Sequence, residues 1–433
     1  MAAKSLLLLA AAAHAFTTPV RRLRPRSQPV AAIPMDAIEL TTQSLAANSA
    51  LTSTADELAG SLFGASLLPW LAMLYWLKHP KTQAPKGVCF GLTYLLAFVF
   101  GSIPAAIGAG ALYGASLADA DWLHGAAESL LAATNCVVVL GFRDALAGKD
   151  DPDRLRTAAT SWAGFAILSC LVVIGGNLMT MDAAAHAPWL NGVGNLDNVN
   201  EPINALSIPT WIIHTSSLVE WLVAMGLAWR YADVVNRQEW KGVTWGMLPL
   251  HTSGIVACCY HLFYNAPELS WCVALQAGCT CLGNTTMAFA MYRLAVASGW
   301  TFGDGRSDAE ALYERWVKGV EAEAVSTETP TVVTSTPSST TASLLGWEDL
   351  GDAWALDSDA FFLGKLLALS AFLAYLVKYA PPLIPGSIVD GWSSAGDGVQ
   401  STAAALVIVV PTLLNCAKWY QRSQEGAEFV GDI

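Results

Sequence analysis

Long apolar runs separated by short polar breaks dominate the chain. Nine of them, at about 61–77, 88–110, 122–142, 160–180, 208–229, 246–264, 270–292, 360–377 and 400–417, approach the ~20 residues needed to cross a ~30 Å hydrocarbon core. Each reads as a transmembrane helix, the first being short and the third the most polar. The expected fold is therefore all-α, a polytopic helical membrane protein with about nine spans.

The lysines and arginines test that count. Connections after spans one, three, five and seven carry Lys78, Lys81 and Lys86; Arg143, Lys149, Arg154 and Arg156; Arg230, Arg237 and Lys241; and Arg293, Arg306, Arg315 and Lys318. The tail after span nine adds Lys418 and Arg422, whereas connections 111–121, 181–207, 265–269 and 379–399 contain no basic residue. Alternation of this kind follows the positive-inside rule, and in a plastid it predicts a lumenal N-terminus and a stromal C-terminus. Lys365 can snorkel to the basic side, and Lys378 alone sits at the wrong edge.

Composition agrees: 433 residues, 54% apolar and 13% charged, with a mean hydropathy of +0.43. The net charge of −12 and the absence of a basic patch argue against nucleic acid as a partner and leave membrane lipid. Nine cysteines without a C-x-x-C pair read as small buried residues. Several of the seventeen tryptophans lie at predicted span ends, where an interfacial belt would place them.

Residues 1–35 read as a bipartite plastid-targeting presequence. "MAAKSLLLLAAAAHA" has the form of a signal peptide, and the acid-free, Arg- and Pro-rich "FTTPVRRLRPRSQPVAAIP" has that of a transit peptide. The pair resembles the two-part presequence of algae with secondary plastids; an ordinary secretory signal with a basic flank is the alternative. Residues 36–60 then form a lumenal tail, 61–159 a three-helix membrane domain, 160–300 a four-helix membrane domain, 301–356 a flexible stromal linker and 357–433 a two-helix hairpin and tail. The linker assignment rests on "EAEAVSTETPTVVTSTPSSTTASLL", residues 321–345, rich in Ser, Thr and Pro.

Two stretches carry a resemblance. "LSIPTWIIHTSSLVEWLVAMGLAWRY", "WKGVTWGMLPLHTSGIVACCYHLFYNAPELSW" and "ALQAGCTCLGNTTMAFAMYR" resemble the membrane family named hypothetical chloroplast reading frame forty-nine, of cyanobacteria and plastids. "SIPAAIGAGALYGASLADADWLHGAAESLLAATNCVVVLGFRDAL" is similar to a second membrane domain of the same organisms. The resemblance implies a photosynthetic membrane, thylakoid rather than envelope. It supplies no reaction and no ligand residue.

Candidate chemistry comes from polar residues inside the spans, where each is costly and therefore informative. On a helix at ~100° per residue, Ser216, Ser217, Glu220, Ala224 and Ala228 share one face, with His214 just beyond its edge. His124, Glu128 and Asn135 align in span three; His251, Gly254, Cys258, His261 and Asn265 follow 3-4-3-4 spacing in span six; span seven offers Gln276, Thr280, Gly283 and Asn284. Depth, at ~1.5 Å per residue from the acidic side, sorts them into two layers. His124, Glu128, His214, His261 and Gln276 lie roughly 3–9 Å in, and Glu220 and His251 about 18–21 Å in. Glu220 and His251 are therefore expected to pair, with Asn284 or Gln276 as the alternative partners of Glu220.

Three functions fit that pattern. In one, the groups are interhelical hydrogen bonders in an accessory or assembly component of the photosynthetic membrane, in contact with its complexes. Histidines, His214 opposite His261, could be axial ligands of a tetrapyrrole, haem or chlorophyll. A Glu/His pair could line a path for an ion or small solute. No P-loop, dinucleotide fingerprint, H-E-x-x-H or exposed nucleophile arrangement points to an enzyme.

Overall fold

The computed structural model describes residues 35–149, 151–180, 205–317, 347–383 and 396–428. Ten long helices account for most of them: α1 Met35–Lys78, α2 Lys86–Tyr113, α3 Asp121–Leu146, α4 Pro152–Thr180, α5 Ile208–Val234, α6 Lys241–Leu262, α7 Trp271–Ala297, α8 Phe302–Val317, α9 Asp359–Leu383 and α10 Gly396–Glu428. No strand occurs among the described residues. Local chemistry explains several ends. Pro85 precedes α2 and Gly114 closes it in the left-handed region at φ 61°. Ser207 caps α5 in extended conformation, ahead of Pro209 in its first turn.

Every apolar run is helical, and seven helices, in α1–α5, α9 and α10, are long and apolar enough to cross a membrane. The chain is an all-α polytopic membrane protein. The runs in α6 and α7 fall outside those seven because His, Thr, Gly, Gln and Asn interrupt their apolar character.

α3 and α5 form the centre: 67% and 72% of their apolar windows are buried, against 11% in α2 and α10 and 17% in α4. α1 packs on α7, α7 on α6, α6 on α5, α5 on α3, and α3 on α2 and α4. Small residues permit the closest approach, as lipid-embedded helices require. A Cβ on Gly141 of α3 would lie 2.6 Å from the carbonyl carbon of Gly87 in α2. The outer helices turn Phe165, Leu168, Leu171, Phe372, Leu413 and Leu414 outward.

Several boundaries differ from the sequence reading. Residues 36–60, expected to be a tail, continue α1, since nothing there breaks a helix before the apolar run. Stretch 301–356 opens with α8 and closes with a docked turn, Trp347–Ala353, while 321–345 lies outside the described residues, as does the presequence over 1–34. The last two spans do not form a hairpin of their own. α9 lies along α5, where Thr215 donates to the Ser370 carbonyl at 2.9 Å, and α10 lies along α6. Trp122, Trp211, Trp240 and Trp300 are buried at helix ends rather than displayed in a belt. Trp240, for example, packs edge-on against Tyr231 and Phe142.

Connections rich in Lys and Arg meet one another at one end of the bundle. Lys81 contacts Asp304 and the Gly299 carbonyl, and Arg237 donates to the Thr82 carbonyl at 2.8 Å. The acidic connections meet at the other, where Asn265 donates to Asp119 at 2.8 Å. Lys378 is accommodated there by burial and a 2.5 Å bond to the Leu206 carbonyl.

Candidate functional site: three facing imidazoles

His124 stands in the first turn of α3, His214 two turns into α5 and His261 in the last turn of α6. Antiparallel α5 and α6 place His214 and His261 at one level, and α3 closes the third side. Ring centroids are 4.9 Å apart for His124–His214, 4.8 Å for His124–His261 and 5.0 Å for His214–His261. Their ligand nitrogens all lie within 4.8 Å of one another, and all three residues are buried.

The bonds that hold the helix ends there are specific. Asp121, at the start of α3, accepts from the Ser207 backbone N–H at 2.8 Å, and Thr210 Oγ1 donates to the Asp121 carbonyl at 3.3 Å. These join the beginnings of α3 and α5. Asn265, just past α6, donates to Asp119 and to the Ala118 carbonyl, which ties α6 to the turn ahead of α3. Trp211 and Tyr260 pack against His214 and His261.

Within this frame His124 Nδ1, His214 Nε2 and His261 Nδ1 are buried and have no hydrogen-bond partner among the described residues. A buried polar atom left unpaired costs about 1–3 kcal/mol. Glu128, one turn after His124, is half-buried with Oε1 3.9 Å from His124 Nε2.

The deeper residues each find one partner on another helix, although Glu220 Oε2 and His251 Nε2 have none among the described residues. Glu220 and His251, expected to pair, are not partners. Glu220 Oε1 accepts from the Cys136 thiol of α3 at 3.2 Å, and His251 Nδ1 lies 3.3 Å from Asn415 Nδ2 of α10. Equal depth on neighbouring helices did not suffice, because each side chain points to a different third helix. Asn284 donates to the Ser66 carbonyl of α1 at 2.9 Å, and the Gln276 carbonyl accepts from Ser253. Neither Asn284 nor Gln276 takes the place of His251. Cys136 and Asp121 were missed: a thiol among valines carries no polar signal, and an Asp beside a helix start reads as an ordinary N-terminal acid.

A tetrapyrrole between His214 and His261 does not fit this packing. Two imidazoles on opposite faces of one macrocycle metal, with bonds near 2.0 Å, need ring centroids roughly 6 Å apart and a slot between them. Here the centroids are 5.0 Å apart, with the His124 ring against both. Three imidazoles around one point are instead a donor set of the kind that divalent transition metals accept.

Comparison with known proteins covers these helices. A family described as a protein of unknown function, DUF3593, matches residues 59–147, and another with that description, DUF2499, matches residues 205–293. His124 thus comes from the first region and His214 and His261 from the second. The "Ycf49-like protein" of Synechocystis sp. is 47% identical over 90 residues, 21% of this chain and 86% of the relative. The "Uncharacterized protein ycf49" of Cyanophora paradoxa is 28% identical over 89 residues, 21% of this chain and 87% of the relative. No solved structure matches the chain. Through the region that builds α5, α6 and α7, the chain belongs to the Ycf49-like family of cyanobacteria and plastids.

Proposed function

We propose that the protein is an accessory or assembly component of the photosynthetic membrane, in the thylakoid, with its N-terminus lumenal and its C-terminus stromal. The observation that carries this reading is how the polar groups inside the spans are used. Many of them join helices to one another, and several join the two matched regions. Asn135 of α3 donates to the Ser217 carbonyl of α5 at 3.2 Å, Cys136 to Glu220, and Thr210 to the Asp121 carbonyl. Trp221 and Thr244 link α5 to α6, and Asn284 links α7 to α1. Groups engaged in helix contacts favour a scaffold over a solute path, and the apolar flanks of α4, α9 and α10 offer surfaces to lipid and to neighbouring membrane complexes.

The test compares cells with and without the chain. Loss is expected to lower the accumulation of assembled photosynthetic complexes on native gels and the variable chlorophyll fluorescence. Normal complex levels, together with ion or solute flux in vesicles holding the purified protein, would replace this reading with transport. An absorption spectrum of the detergent-purified protein is expected to lack tetrapyrrole bands. For orientation, protease added to right-side-out thylakoids is expected to cut within 321–345, and protection of that stretch would reverse the assignment of sides.

A further inference from the structure

We propose that His124, His214 and His261 bind one divalent transition-metal ion of the zinc class, with Glu128 as a positioning residue. The inference is independent of the accessory role and adds a ligand to the molecule.

A neutral imidazole has one N–H donor and one lone-pair nitrogen. In each of these rings one nitrogen is buried and has no hydrogen-bond partner among the described residues, on three different helices, and the three rings face one another. The three residues are 6%, 5% and 6% exposed, so water does not stand in as a general partner. Hydrogen bonding among the rings could satisfy some of these atoms, but three neutral rings in a triangle bring three acceptors together as readily as donors. A cation that takes three lone pairs satisfies all three at once.

The carboxylate beside His124 points the same way. Ligand histidines usually turn their other ring nitrogen to a carboxylate, which fixes the tautomer. His124 presents unpartnered Nδ1 while its Nε2 faces Glu128 Oε1 at 3.9 Å. A short movement of Glu128 makes that contact a hydrogen bond and leaves the Nδ1 lone pair for the metal. The carboxylate also offsets one of the two positive charges that three neutral imidazoles leave uncompensated. Asp119 and Asp121 lie at the same end of the bundle.

Distances set the size of the adjustment. Bonds of about 2.1 Å in a tetrahedral site put nitrogens about 3.4 Å apart. Nitrogens at most 4.8 Å apart must therefore move inward by roughly 0.8 Å each, within the reach of side-chain rotation. Three imidazoles select zinc, cobalt, nickel or copper over magnesium or calcium, which prefer oxygen ligands. Three protein ligands leave the fourth position to water or another small ligand.

The full chain, purified in detergent and stripped with a chelator, is titrated with Zn2+ against a competing indicator and with Co2+ by visible absorption. One equivalent is expected, with Co2+ bands of a tetrahedral nitrogen-rich site and a rise in melting temperature. His124→Ala, His214→Ala and His261→Ala should each weaken Zn2+ more than about 100-fold, and Glu128→Gln about 10- to 100-fold. His251→Ala, a buried histidine on α6 outside the cluster, should leave the affinity unchanged. Absence of stoichiometric binding by the wild-type chain overturns the proposal, as does a sulfur-dominated cobalt spectrum or an equal loss in His251→Ala. Because the cobalt spectrum is read on the wild-type chain, misfolding of a variant does not blunt the test.

Discussion

The two ends of α5 hold buried polar groups on opposite terms. At one end His214 meets His124 and His261, and a nitrogen of each ring lacks a partner among the described residues. At the other end Glu348, from the turn docked on Gly226, is buried but meets Lys418 and Arg422 of α10, and Asp349 grips Arg422 at 2.6 Å. Both assemblies draw on pieces far apart in the chain. The charged one has its counter-ions in place and works as a clamp, because a buried charge beside opposite charges is stabilised by them. The histidine one is incomplete in itself, and unpaired acceptors stabilise nothing without a ligand. That difference separates a structural junction from a binding site.

The largest effect is expected at the clamp. A Cβ at Gly226 would lie 2.1 Å from the Glu348 carbonyl oxygen, a backbone atom that cannot swing aside. Gly226→Ala should destabilise the protein by about 1–3 kcal/mol, read as a lower melting temperature in detergent. An unchanged melting temperature would mean that the turn does not seat on α5.

Next comes a paired comparison of one substitution at each end. Glu348→Leu leaves Lys418 and Arg422 without their buried partner, and should cost about 1–2 kcal/mol after discounting for the partial exposure of both cations. His214→Leu, measured without metal, replaces an unpaired polar group with an apolar one. It should change stability by less than about 1 kcal/mol in either direction. Equal losses at the two ends would erase the distinction.

A smaller effect tests the middle of α5. A double-mutant cycle with Cys136→Ala and Glu220→Leu should show coupling of about 0.5–1 kcal/mol, in the range of interhelical hydrogen bonds. The cycle with Glu220→Gln and His251→Leu should be additive. Coupling in the second and none in the first would restore the pairing that equal depth suggested.

The smallest effect lies outside the spans and follows pH. A hydrogen bond from Lys81, followed by bonds from Thr301, holds the exposed Asp304 carboxyl down at about 2, below its ordinary 3.8. A lowered carboxyl favours the ionised folded state, so its contribution is present above pH 3.8 and fades as pH falls toward 2. The melting temperature of Asp304→Asn should therefore depend less on pH across that window than that of the wild-type chain. Parallel profiles would show that the Lys81 contact does not persist in solution.

The helices were legible in the chain, as were the inward faces of α3 and α6; α5 is buried on both sides, with Val219, Met225 and Trp229 covered as well as Glu220. Nine apolar runs marked nine helices, and the spacing of His124 with Glu128, or of His251 with His261, marked which side turned inward. Charge alternation marked which connections share an end, and Lys81, Arg237 and Asp304 do meet there. Boundaries were less legible where hydropathy changes without a helix breaker, as before Ser53 in α1.

What the sequence determined by itself is local: helix, inward face and depth, because each follows from the 1.5 Å rise and ~100° turn of one element. Those quantities were enough to put three histidines at one level. Only the tertiary structure decided who meets whom. It brought α3 against α5 so that Cys136 rather than His251 reaches Glu220, sent α10 to His251, set α9 on α5 instead of on α10, and seated Glu348 over Gly226. Partner choice depends on the order of helices around the bundle and on how closely small residues let them approach. Both arise from contacts between residues far apart in the chain, 84 positions for Cys136 and Glu220 and 164 for His251 and Asn415, and no periodicity within a single helix contains them.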